Sequence, residues 1–296
     1  MPYKDKDSEA GDIRPMNRKV LLRSLCFYSP PPDGHQPRYM ETNLTQPGAG
    51  QRNYDHYRKI VPIYDIRNRE SSFDVAKNSF TPLPNAFHIS KAISFDDEDD
   101  VRARYLPEVE NIIFENVKGS QKVLPYDVVI RKASSVKVAH RQVNKLHVDQ
   151  SPRGAYKRAT KHFPKADSDA IIKGNLRLRI INLWKPIYNI VHDHPLVFAD
   201  HRSLKPGDMI PVEQAYPDYV GETYCGKYRP GQQFWYWSDM RTEDVLLLQC
   251  FDSQRTADVD GGLEHVQCLH GSFELDTDGL EPCDRASVEV RCLVLG

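Results

Sequence analysis

The sequence predicts a mainly β protein, a sandwich or jelly roll of short antiparallel strands with flanking helices. Two observations carry this. After Gly119 the chain becomes a series of short alternating segments separated by turn residues, and one long stretch, 101–117, has helical periodicity. No repeat of fixed period and no linker breaks the pattern. A single domain is therefore expected over residues 21–296, behind a polar, flexible segment 1–20.

In order along the chain, residues 20–28 read as a first strand. Pro30, Pro31, Pro32, Asp33 and Gly34 end it, because proline cannot donate to a ladder and Asp-Gly favours a turn. Residues 35–58, rich in Gly, Pro, Asn and Gln, read as an extended connection, and 61–67 as a short strand. Residues 80–87 carry two prolines and read as loop. The acidic run 96–100 lacks the glycine and distant Glu of a calcium loop. It reads as the start of a helix, where acids meet bare amides and the positive end of the dipole. Leu106, Val109, Ile112, Ile113 and Phe114 recur at helical spacing behind it, and Lys118-Gly119 supplies a stop.

Strands are expected at 126–131, 135–140, 176–184, 195–200, 234–237, 243–251, 265–273 and 287–295. Residues 151–165, with Pro152, Gly154 and several basic residues, read as a loop or lid with a helical turn, and 166–171 as the start of a short helix.

Composition narrows the function classes. A net charge of −1 gives no basic excess for nucleic acid and no acidic tail for a charge-driven partner. No apolar run is long enough to span a bilayer, and the first residues lack the apolar core of a secretory signal. The six cysteines have no Cys-x-x-Cys spacing and read as free thiols of a reducing compartment. A cytoplasmic protein is expected.

The chemistry centres on His147-Val148-Asp149. In a strand, alternate side chains share a face, so His147 and Asp149 can reach one point while Val148 takes the other side. A third ligand from a distant strand would complete a two-His-one-carboxylate set, which holds non-haem Fe(II) and leaves positions open. His265 and His270 stand where a closing strand could return, and His192 and His194 form a second cluster beside a proline turn. Arg285 and Ser287 follow as Arg-x-Ser, a fork and a hydroxyl suited to the far carboxylate of a dicarboxylate. The alternative for Arg285 is an ion pair with Asp284 or Glu281.

A further set of stretches carries a family resemblance. They are residues 63–67, 147–152, 182–187, 193–200, 235–240, 245–248, 251–253, 270–273 and 285–291. In these the chain resembles the fungal hydroxylase/desaturase family of secondary metabolism, related to gibberellin desaturase and the cephem 7α-hydroxylase/methoxylase component. The resemblance implies a double-stranded β-helix (a cupin-like jelly roll) using Fe(II), 2-oxoglutarate and O₂. It implies His147, Asp149 and His270 as iron ligands. For the co-substrate, Arg291 on the same final segment rivals Arg285, and Arg285 is preferred because Ser287 accompanies it. The reaction implied is hydroxylation or desaturation of a small molecule, with succinate and CO₂ as co-products. Trp184, Trp235 and Tyr236 are candidates to line the substrate pocket. The alternatives are a non-oxygenase metal enzyme or a ligand-binding module on the same scaffold. The oligomeric state is open, a homodimer included.

Overall fold

The structure is a computed structural model and describes residues 20–40, 51–88, 93–132, 143–254, 263–275 and 285–296. Its strands are β1 (Val20–Ser29), β2 (Arg38–Met40), β3 (Gln51–Arg52), β4 (Asp55–Asp65), β5 (Phe80–Leu83), β6 (Lys122–Lys132), β7 (His147–Val148) and β8 (Leu178–Pro186). They continue with β9 (Leu196–Ala199), β10 (Met209–Ala215), β11 (Val220–Gly226), β12 (Phe234–Tyr236), β13 (Val245–Asp252), β14 (His270–Ser272) and β15 (Ala286–Leu295). The helices are α1 (Val75–Asn78), α2 (Glu98–Asp100), α3 (Leu106–Asn116), α4 (Pro152–His162) and α5 (Lys165–Ile172).

The strands form two facing sheets of a jelly-roll-like fold. One has the order β1-β4-β12-β9-β14-β7-β11-β10-β2-β3, and the other β5-β13-β8-β15-β6. The second sheet is covered on its outer side by α3. Ile181 and Leu183 of β8 and Val288, Val290 and Val294 of β15 pack there with Val109, Ile112 and Ile113 of the helix. Each of those three helix side chains is buried and stabilises the contact by about 1.5–3 kcal/mol. The period of two then turns Ile180, Asn182 and Trp184 of β8, and Ser287, Glu289 and Arg291 of β15, toward the first sheet. Polar side chains are thereby forced into the interior, and this is what builds the site.

The expected strands at 20–28, 126–131, 176–184 and 287–295 and the helix after 101 are present. Asp97 caps that helical stretch by accepting from the amides of Asp99 and Asp100. Three readings are corrected. Residues 80–83 form strand β5, where Pro82 is tolerated because β5 is an edge strand that, among the described residues, pairs only with β13. Residues 152–162 form the regular helix α4 and not a loop or lid. Ser151 is its N-cap, accepting from Gly154 N at 3.1 Å, and Pro152 sits in its first turn. The 35–58 connection contributes β2, β3 and the start of β4. The hairpin of β10 and β11 was not foreseen, and the strand expected at 135–140 and most of segment 1–20 lie outside the described residues.

A candidate metal centre between the sheets

β7 and β14 are neighbours in the larger sheet, and His270 pairs directly with His147. Directly opposed residues of an antiparallel pair bring their side chains together. The two imidazole rings stand 4.5 Å apart, centroid to centroid. Asp149 follows β7 on the His147 face, its Oδ1 3.7 Å from His147 Nε2. One ligand atom from each of the three residues lies within 4.8 Å of the others. Sheet register thus selects His270 among the histidines. His265 turns away, its Nδ1 bonded to the Asp252 carbonyl at 2.7 Å, and His192 pairs with Asp239 near the surface. The His194 carbonyl accepts from Arg285.

The tautomers suit a cation. His147 Nδ1 lies 2.8 Å from the Lys145 carbonyl, and His270 Nδ1 2.9 Å from the Cys268 carbonyl. A carbonyl can only accept, so each Nδ1 donates to it and each Nε2 is the ring nitrogen left to face the cluster. His270 is 2% exposed, and its Nε2 is a buried polar atom without a partner among the described residues. Burial and the neighbouring His270 pull the His147 imidazole down to about 4, so it is neutral at physiological pH. Two imidazoles and a carboxylate gathered at one point, with the His270 Nε2 left without a partner among the described residues, fit a divalent metal such as Fe(II).

The carboxylate is held from the opposite sheet. Arg291 forks onto it, Nε to Oδ2 and Nη2 to Oδ1, both at 3.0 Å, and Asn182 donates to Oδ2 at 2.5 Å. Burial opposes ionisation of Asp149, but Arg291, the two histidines and the Asn182 hydrogen bond outweigh it, and the carboxyl lies well below its ordinary range. Arg291 also reaches Asp127 at 2.7 Å and Glu289 at 3.1 Å. A carboxylate oxygen can accept a hydrogen bond and keep a lone pair for a metal, so the fork leaves Asp149 able to ligate. Asn182, Glu289 and the Asp149–Arg291 pair were not read from sequence. The available signal was the alternation of Ser287, Glu289 and Arg291 with Val288, Val290 and Cys292, polar residues on what should be an inward face.

Arg285 and Ser287 are 2% and 1% exposed, at the entry to β15. Arg285 donates to the His194 carbonyl and lies over the Trp184 ring at 5.5 Å, but its Nε has no partner among the described residues, and neither has Ser287 Oγ. Burial pulls the guanidinium down to about 10, and it remains charged at neutral pH. Trp235 packs against Tyr64 and Phe73, and Tyr236 stands edge-on to Phe273. A cavity of about 360 Å³ opens onto His147 and Asp149, and Trp184, Trp235 and Tyr236 are not on its wall. All three are buried core aromatics.

The described residues contain no helix long and apolar enough to cross a membrane. A family model described as "Oxidoreductase/YMDC permease-like domain" matches residues 25–295. The hydroxylase/desaturase efuI of Hormonema carpetanum is 28% identical over 272 residues, 83% of this chain and 86% of its own. The alpha-ketoglutarate-dependent dioxygenase phiK of a fungal species (strain ATCC 74256) is 28% identical over 286 residues, 93% of this chain and 96% of its own. The solved iron and alpha-ketoglutarate-dependent endoperoxidase NvfI shares the fold, with a TM-score of 0.77 at 24% identity over 94% of this chain and 98% of its own. The family match runs from within β1 to the end of β15 and takes in the whole cluster, so the chain belongs to this oxidoreductase family, among the fungal hydroxylase/desaturases that are Fe(II)/2-oxoglutarate-dependent dioxygenases.

Proposed function

We propose that the enzyme oxidises an unactivated C–H bond of a small-molecule secondary metabolite, by hydroxylation or desaturation, with iron held by His147, Asp149 and His270. The observation that carries this is the convergence of two imidazoles and a carboxylate at one point, the His270 Nε2 being buried and without a partner among the described residues. Bound Fe(II) with 2-oxoglutarate and O₂ supplies the oxidising power, converting 2-oxoglutarate to succinate and CO₂ as the substrate is oxidised. The chain's own residues bind, orient and exclude water. Lys145 and Cys268 fix the two rings through their carbonyls. Arg291 and Asn182 hold the carboxylate.

Arg285 and Ser287 are assigned to the far carboxylate of 2-oxoglutarate. Support comes from their free Nε and Oγ, two buried donors that a carboxylate would satisfy. Arg291, the rival, already spends its fork on Asp149. Calorimetric titration of 2-oxoglutarate into the Mn(II)-loaded chain tests the assignment. Arg285→Ala should abolish measurable co-substrate binding and Arg285→Lys weaken it moderately, because Lys keeps the charge and loses the fork. Both should retain Mn(II) affinity. Unchanged 2-oxoglutarate affinity in Arg285→Ala would remove this residue from the co-substrate site.

A further inference from the structure

The cavity in front of His147 and Asp149 has a chemical bias that points to its occupant. Its wall carries Arg131, Lys145, Arg158 and Arg291 against two carboxylates, Asp149 and Glu222. Both carboxylates are committed. Asp149 is forked by Arg291, while Glu222 accepts from Ser151 Oγ at 2.6 Å and faces Arg153 at 3.6 Å. Lys145 and Arg158 have no carboxylate within ion-pair distance among the described residues, and Arg158 Nε is buried without a partner. Arg158 lies between the rings of Tyr126 and Tyr219, 5.3 and 4.9 Å from their centroids, which fixes its guanidinium as a rigid platform.

Further unmet polar atoms converge there. Tyr219 OH and both ring nitrogens of His56 are buried and have no partner among the described residues, and both residues line the cavity. The helix that supplies Arg158 adds long-range attraction. α4 carries Arg153, Lys157, Arg158 and Lys161 and no acidic residue. Lys157 and Lys161 stand over the same Tyr219 ring, at 4.9 and 5.4 Å. Such an excess of cations over carboxylates favours an anion and raises its local concentration. At about 360 Å³ the cavity has the size of a small-molecule pocket.

We infer that the substrate is a small organic acid whose carboxylate is received by Lys145 and Arg158, with Tyr219 and His56 as neutral hydrogen-bonding partners, so that its carbon skeleton extends toward His147 and Asp149. This rests on the proposed iron site only for the reaction that follows; the anion site stands on the cavity wall. Arg285, buried away from that wall, is left for the co-substrate, so two carboxylates of different origin have two separate receivers.

The test is calorimetry on the full chain loaded with Mn(II) and 2-oxoglutarate. The probes are hexanoic, octanoic and 4-phenylbutyric acids, each against its own methyl ester. Charge-assisted hydrogen bonds predict that at least one acid binds about tenfold or more tightly than its ester. That preference should fall to within about threefold in Lys145→Met and in Arg158→Met, and survive in Lys145→Arg. The 2-oxoglutarate affinity should stay within about twofold in all variants, whose folding is checked by circular dichroism. Equal binding of acids and esters, or no acid binding, overturns the proposal. A loss of 2-oxoglutarate affinity in Lys145→Met or Arg158→Met also overturns it, because the cavity cations would then hold the co-substrate. If the wild type fails to take up Mn(II) or 2-oxoglutarate, the iron reading fails by itself, and the acid–ester comparison on the metal-free chain decides the anion site.

Discussion

Replacing Arg291 by Met isolates the part of the site that sequence did not reveal. The guanidinium makes two bonds of 3.0 Å to Asp149, one of 2.7 Å to Asp127 and a contact of 3.1 Å with Glu289. Asp127 is 43% exposed in its side chain, so that arm contributes only about 0–1 kcal/mol. Asp149 is 9% exposed, and stripping its partner leaves a buried charge uncompensated, which costs about 3–5 kcal/mol. At about 2 °C per kcal/mol for a chain of this size, the metal-free variant should melt roughly 6–10 °C below wild type at pH 7. The sign with pH follows from Asp149. Its folded carboxyl lies below the unfolded value of about 3.9, so its stabilisation is full above that pH and is lost as pH falls toward the folded value. The gap between variant and wild type should therefore close below about pH 4. Added Mn(II) should also narrow it at pH 7, because a dication replaces the missing charge. Thermal melts by circular dichroism over a pH series read all three effects. A variant melting within about 2 °C of wild type, or a gap unchanged from pH 7 to about pH 3.5, would show that Arg291 does not compensate the buried Asp149 charge.

Three further outcomes are expected. Gly154→Ala puts a Cβ 2.3 Å from the Glu222 carbonyl oxygen, so α4 must move off β11, and urea unfolding should show a loss of about 1–3 kcal/mol. Ser287→Ala removes one neutral donor and should raise the 2-oxoglutarate dissociation constant by about threefold to tenfold, measured on the Mn(II)-loaded chain. His192→Ala breaks only a surface pair with Asp239, so both Mn(II) affinity and melting temperature should stay at wild-type values.

The sequence was most informative where a short period sufficed. His147 and Asp149 share a face because strands alternate, and α3 follows from apolar spacing capped by acids. It was least informative where register decides. His265 and His270 are equally plausible from spacing, and only the pairing of His270 with His147 separates them. The Asp149–Arg291 pair joins residues 142 positions apart across two sheets, beyond any local pattern. Helix α4 was obscured by its own breakers. Pro152 and Gly154 resemble loop residues, yet Pro152 occupies a first-turn position that lacks an intrahelical partner anyway, and Gly154 is there because the Glu222 backbone passes too close for a Cβ. The family resemblance implied His270 as the third ligand where spacing left the histidines open, whereas Arg-x-Ser came from the chemistry of the two side chains themselves.

Anaerobic titration of the metal-free chain with Fe(II) and 2-oxoglutarate reads whether His147, Asp149 and His270 hold an iron to which 2-oxoglutarate attaches. Wild type and His265→Ala should each bind one Fe(II) per chain and develop a weak visible charge-transfer band near roughly 500 nm once the keto acid occupies the open positions. His270→Ala should show neither tight uptake nor the band, since it loses one of only three protein ligands. Normal iron content and an undiminished band in His270→Ala, or their loss in His265→Ala, would show that these three residues are not the iron ligands.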